Sequence, residues 1–168
     1  MNSINEILDK IEDAELILIG IGEEFYTSEN SETDVNSAYE RLAEILEGKN
    51  YFVVSLCNDD IIYSSGLKID KITAPFSPNE EANEDEGKGQ WDKYMMWLSC
   101  TLNKKLLILE LGVLLNYPQV IRWPFEKTAM LNNKAELIRV NDSMPNIPAE
   151  IKDKAMGYKI NAVDFCLN

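Results

Sequence analysis

At 168 residues, 45% apolar and 27% charged, the chain has the size and composition of one ordinary globular domain with a core of its own. Its 29 acidic and 16 basic residues leave a net charge of −13, which repels phosphate and disfavours nucleic acids and anionic membrane surfaces as partners. There is no histidine, so mechanisms that need an imidazole as acid, base or metal ligand are excluded, and carboxylates, Lys, Tyr and Cys remain. No apolar run approaches the roughly 20 residues of a membrane span. The opening MNSINEILDKIED is acidic where a signal peptide is basic, which makes the cytoplasm the expected address. Cys57, Cys100 and Cys166 are odd in number and widely spaced, and form neither a disulfide framework nor a zinc pattern.

In chain order, Ile4, Ile7, Leu8 and Ile11 predict a helix over 3–14, with Ser3 as cap and Glu6 completing a capping box. Leu16 to Ile19 predict a buried strand that runs into Gly20 and Gly22. Strand, glycine turn and loop open many dinucleotide-binding folds. Here the third glycine is missing, and Glu23 and Glu24 stand where a phosphate would sit. Two carboxylates at a helix N-terminus satisfy its positive end themselves and oppose an anion. Residues 26–37 read as a polar, mobile loop. Tyr39, Leu42, Ala43, Ile45 and Leu46 predict an amphipathic helix ended by Gly48. Tyr51 to Cys57 predict a second core strand, with Asn58, Asp59 and Asp60 at its carboxyl end, and Ile69 to Thr73 a short third.

The stretch 75–90 loses apolar character and reads as an acidic, loosely held connection. Trp91 to Leu102 regain helical spacing, their Trp and Met residues facing the core. Leu106, Leu107, Ile108 and Leu109 form an unbroken apolar run, which fits a strand covered on both faces in the middle of a parallel sheet. Glu110 ends that run, followed by Gly112, Asn116, Pro118 and Arg122, a polar cluster where open parallel sheets hold ligands. The same residues also fit a loop cap, with Arg122 paired to Glu110. A helix is predicted from Pro124 to Leu131, a strand from Ala135 to Asn141, a short helix near Ile151 to Ala155 and a terminal strand through YKINAVDF. Strands alternating with helices predict a single α/β domain over 1–168 built on a parallel sheet.

Several of these stretches together resemble the sirtuin family, particularly the bacterial macrodomain-associated, ADP-ribosyl-transferring sirtuins. GKNYFVVSLCNDD resembles their second strand and its loop, ELGVLLNYPQVIRWPFE resembles their ELGV, N-x-P, IR and PF string, and AELIRVN resembles the strand whose Asn contacts the adenosine ribose. The resemblance implies a three-layer Rossmann-like sheet of the DHS-like NAD/FAD-binding type and a ligand of the NAD or ADP-ribose kind. It assigns Gly20 and Gly22 to the first loop and Asp59, the one catalytic candidate, to the nicotinamide side. Glu110, Gly112 and Asn116 fall where the family closes over the nucleotide. Arg122 either pairs with Glu110 or meets a phosphate, Asn141 bonds ribose, and Asp164 lies near the adenine end. Asn58 takes the family's catalytic-loop Asn position only through a register shift, since Cys57 stands there.

The departures imply degeneracy. The glycine loop is GIGEEF, the family's catalytic His falls near Phe76 and Ser77, and the acidic stretch 75–90 replaces the zinc module. The expected function is NAD or ADP-ribose binding without deacylase activity and without zinc. The alternative is a non-catalytic module that recognises a basic protein partner through its acidic surface and exposed aromatics such as Trp123. An unrelated nucleotide or sugar enzyme using Glu110 and Asp59 as a carboxylate pair is the third reading.

Overall fold

The computed structural model describes residues 2–78 and 84–168. Its helices are α1 (Ser3–Asp13), α2 (Glu32–Ile45), α3 (Glu84–Ser99), α4 (Arg122–Leu131) and α5 (Ala162–Leu167). Its strands are β1 (Leu16–Ile21), β2 (Asn50–Ser55), β3 (Ile72–Thr73), β4 (Leu106–Leu111), β5 (Ala135–Val140) and β6 (Ala155–Tyr158). The strands form a single sheet in the order β3-β2-β1-β4-β5-β6, and every pair is parallel. The chain starts in the middle, works outward to β3, and returns to lay β4 against the free side of β1, with Leu16 opposite Leu106 and Ile21 opposite Leu111. That reversal creates a topological switch point between β1 and β4.

Both faces of the sheet are covered, which is why the central strands read as continuous apolar runs. On one face Ile17, Ile19, Ile21, Leu107, Leu109 and Leu111 pack with residues of α1, α2 and α5, among them Ile7, Tyr39 and Phe165. On the other, Leu18, Phe52, Ile108 and Leu137 pack with Tyr94 of α3 and Phe125 and Ala129 of α4. The result is a three-layer, Rossmann-like α/β domain.

The predicted elements hold with local corrections. Asn2, not Ser3, caps α1, accepting the Ile4 N–H at 3.2 Å. Helix α2 begins inside the expected loop 26–37, because Ser31 caps it through the Asp34 N–H at 3.2 Å and Val35 and Ala38 extend its buried stripe. Helix α3 begins at Glu84, so it takes up part of the stretch expected to be a loose connection; residues 79–83 of that stretch lie outside the described residues. The last strand comes earlier than expected: the short helix expected near Ile151 to Ala155 is a single turn at Ala149–Ile151, β6 starts at Ala155, and only Tyr158 of the expected strand YKINAVDF belongs to it. Chain pairing with β5 stops at Tyr158, and Asn161 then accepts the N–H groups of Val163 and Asp164 at 3.0 and 3.2 Å, starting α5. NAVDF is therefore helical, and Asp164 sits in the first turn of a helix and not in a strand.

Candidate functional site

The loops beyond the carboxyl ends of β1, β4, β5 and β6 meet above the switch point. Gly22 approaches the loop after β4 so closely that a Cβ on it would lie 2.3 Å from Val113 Cα and 2.4 Å from the Gly112 carbonyl oxygen. Its N–H donates to Leu111 O at 2.9 Å, and that of Glu24 to Gly112 O at 3.2 Å. Pairing between β1 and β4 thus continues past the strand ends, and the two loops meet backbone to backbone at the switch point. Gly112 turns there with a φ of +66°, a conformation that favours glycine. Gly20 serves a different purpose from the loop role expected of it. It lies inside β1, where a Cβ would strike Ile121 and Phe125 at 2.6 and 2.7 Å, so its missing side chain is what lets α4 lie against the sheet.

Glu23 and Glu24 form a single turn after Gly22, and both are buried. They do not serve the amides of their own turn, as their position in the sequence suggested. The Glu23 carboxylate accepts the Leu114 N–H at 3.2 Å and the Asn116 side-chain amide at 2.9 Å. Glu24 accepts the Asp142 N–H at 2.9 Å through one oxygen and the Ala162 N–H at 2.6 Å through the other. Burial pushes the Glu24 carboxyl above its ordinary value; the Ala162 and Asp142 amides pull it back, and the charges of Asp142 and Asp164 push it further up.

Glu110 lies within β4 rather than at its end, opposite Gly20 on one side and Arg139 on the other. It is fully buried and receives two bonds from the equally buried Arg139, Nε at 2.8 Å and Nη2 at 3.0 Å, while Arg122 Nη1 lies 3.7 Å away. Arg139 also donates to Glu126 at 3.0 Å and to the Asn146 carbonyl at 2.6 Å. Burial works against the Arg139 charge, but its bonds to Glu110 and the charges of Glu110 and Glu126 overcome this and hold it above its ordinary value. The pairing of Arg122 with Glu110 is present, but Arg139 is the main partner. The sequence carried a signal for it: a lone arginine near the end of the apolar strand AELIRVN, matching the lone carboxylate of the apolar strand LLILEL. Arg122 donates through Nη1 to the Val113 carbonyl at 3.1 Å and through Nη2 to that of Met144 at 3.2 Å, while its Nε lies 4.0 Å from Glu126.

Asn141 is fully buried. Its amide donates to Val113 O at 2.8 Å, and its oxygen accepts the N–H groups of Met144 at 2.8 Å and Ser143 at 3.1 Å. Asp59 is partly exposed and accepts the Ile61 N–H at 3.0 Å; partial burial, with Asp60 and Glu32 nearby, pushes its carboxyl upward. Asn58 beside it and Asp164 on α5 are exposed. The structure therefore gathers Glu110, Gly112, Asn116, Arg122 and Asn141 around the β4 and β5 loops and leaves Asn58 and Asp59 on the β2 loop. Cys57 is buried with its Sγ 3.1 Å from the Tyr39 hydroxyl, and burial pushes its thiol up to about 11. Phe76 packs against Tyr117, ring centroids 4.8 Å apart, and Ser77 is buried. Among the described residues no group of three His, Cys, Asp or Glu side chains is placed to hold a metal ion, and no helix is long and apolar enough to cross a membrane.

No family model matches the chain. Aligned by structure, 99% of it superposes on 96% of a solved sirtuin chain, from work on sirtuin substrate affinity, with a TM-score of 0.62 at 13% identity. The fold is that of a sirtuin. In sequence, 63 residues, 36% of this chain, are 44% identical to a protein of Fusarium oxysporum f. sp. cubense named "Probable bifunctional ADP-ribose hydrolase/ADP-ribosyltransferase". The match spans 10% of that protein's length. A Rossmann-like sheet of this order holds a dinucleotide with the pyrophosphate at the turn after its first strand. In this sirtuin-like fold that turn carries two buried carboxylates whose oxygens already take the neighbouring amides, and Gly22 lies against Gly112 and Val113. The residues present do not fit a pyrophosphate there.

Proposed function

We propose that this chain is a degenerate sirtuin-fold module that performs no deacylation and acts by binding a basic protein partner. The observation that carries the reading is that the polar groups gathered at the carboxyl end of the sheet are engaged with one another. Asn141 serves Val113 and its own turn, Asn116 serves Glu23, and Arg122 and Glu110 belong to one buried ion-pair cluster. Groups spent in this way hold loops together and leave few donors for a ribose or a phosphate. The chain also lacks the imidazole that would deprotonate a ribose hydroxyl, and Phe76, at the place expected for it, packs on Tyr117.

Recognition would fall to the loop after β4 and the first turn of α4. Leu115 and Tyr117 on the loop and Trp123 on the helix are exposed, Trp123 at 60%, on a chain of net charge −13. Aromatic anchors in an acidic field suit a Lys- or Arg-rich surface. The test is calorimetric titration with a Lys/Arg-rich peptide, with NAD and with ADP-ribose, alongside a lysine-deacylation assay. Peptide binding that weakens on Trp123→Ala, with no nucleotide heat at millimolar ligand and no deacylation, supports the reading. Deacylation of a lysine substrate overturns it.

A second reading, a module holding a nucleotide of the NAD or ADP-ribose type, is favoured by the name of the Fusarium relative and by the sheet order. Saturable nucleotide binding in the same titration, weakened by Asp59→Ala, would establish it. Asp59 is the clean probe, because it caps only its own turn, whereas Asn141→Ala would release three loop contacts whether or not a ligand is involved.

A further inference from the structure

The backbone N–H groups of Leu114, Asp142 and Ala162 lie beyond three different strands, β4, β5 and β6. All three donate to carboxylates from one dipeptide beyond a fourth strand, β1. The side-chain amide of Asn116 joins them. The surroundings are shaped to this dipeptide: a Cβ on Gly112 would lie 2.5 Å from the Glu24 Cβ and 2.8 Å from its Oε2. Asn30 ties the Glu24 carbonyl from the other side at 2.7 Å. We infer that Glu23 and Glu24 are a resident anion, occupying the place a diphosphate takes in an open sheet of this order and drawing the same loops inward, so that the domain is permanently liganded by its own chain. The inference rests on the functional reading above and names the device that keeps a dinucleotide out.

Two consequences are specific. An incoming anion meets the Leu114, Asp142 and Ala162 amides already donating to Glu23 and Glu24, and it faces negative charge from Asp142 on the β5 loop and Asp164 on α5 as well as from Glu24 itself. The Asp142 and Ala162 amides share one hydrogen-bond acceptor, the Glu24 carboxylate, and Asp142 senses its own carboxyl besides.

The experiment is amide-detected NMR of the wild-type chain, following Leu114, Asp142 and Ala162 through a pH titration and, separately, through addition of inorganic pyrophosphate. The Asp142 and Ala162 signals should share a titration step displaced upward from the ordinary glutamate value, whatever further step Asp142 shows from its own carboxyl, and none of the three should move with pyrophosphate at millimolar concentration. In Glu24→Gln that shared titration should vanish and the melting temperature should fall by several degrees. Saturable movement of these amides with pyrophosphate in the wild-type chain would overturn the inference, as would a shared titration that persists in Glu24→Gln. The wild-type spectra decide the question even where the variant fails to fold. Deacylation with these amides unmoved by pyrophosphate would sink the functional reading and leave the resident anion standing.

Discussion

Arg139 and Glu110 meet fully buried, so each keeps its charge mainly through the other, with Glu126 and Arg122 as lesser partners. Removing one partner should be far worse than removing both. Arg139→Met is expected to cost about 3–5 kcal/mol, while the Glu110→Leu, Arg139→Met pair should recover most of that loss; urea unfolding of the two variants checks it. Glu24 offers a second measurement. Its folded-state carboxyl lies above the ordinary value of 4.5, so folding favours the protonated form. The stability this contributes is fully present below the ordinary range and is lost as pH rises through the raised value. Melting temperature against pH should show that loss in the wild type and not in Glu24→Gln. The thiols separate by position: burial holds Cys57 at about 11 and Cys166 at about 12, whereas Cys100 is exposed. Alkylation of the native protein at neutral pH should modify Cys100 and spare the other two, as peptide mass mapping would read.

The strands and helices follow from local patterns, and the misreadings show where such patterns stop. A central strand was legible from the apolar run Leu106 to Leu109, and all six residues of β4 are buried, but the role of Glu110 was not, since its partner lies on the next strand, 29 residues on. The helix in NAVDF hid behind β-branched and aromatic residues, and the Asn161 cap decides it. Gly20 and Gly22 looked alike in sequence as turn glycines, yet they meet different neighbours. Gly20→Ala would press on the ends of Ile121 and Phe125, side chains that can shift, at a cost of about 1–3 kcal/mol. Gly22→Ala would press on backbone of the β4 loop, which cannot shift without parting the two loops. Denaturation midpoints should rank wild type, Gly20→Ala and Gly22→Ala in falling order.

For the molecule as a whole, a charge of −13 repels itself. Raising salt from about 0.01 M to about 1 M shortens the screening length roughly tenfold. The melting temperature should therefore rise with salt, while binding of a basic peptide should weaken over the same range; both follow from one titration series. Overall architecture was readable because alternation of strand and helix leaves few arrangements, and the filling of the turn after β1 was half readable, since two glutamates after GIG oppose a phosphate. Which amides they would take was not, because Leu114, Asp142 and Ala162 lie 90 and more residues away.

The pairing of β1 with β4 has a consequence for how the chain comes into being. Leu16 to Ile21 need Leu106 to Leu111 on one side, so during synthesis β1 waits with one apolar edge unclaimed until β4 follows. Contacts this distant along the chain form late, and an unclaimed edge can be taken by the wrong neighbour. A nascent chain stalled before Leu106 should accordingly be a client for chaperones, whereas one released past Leu167, with β6 beside β5 and α5 on the core, should no longer need them.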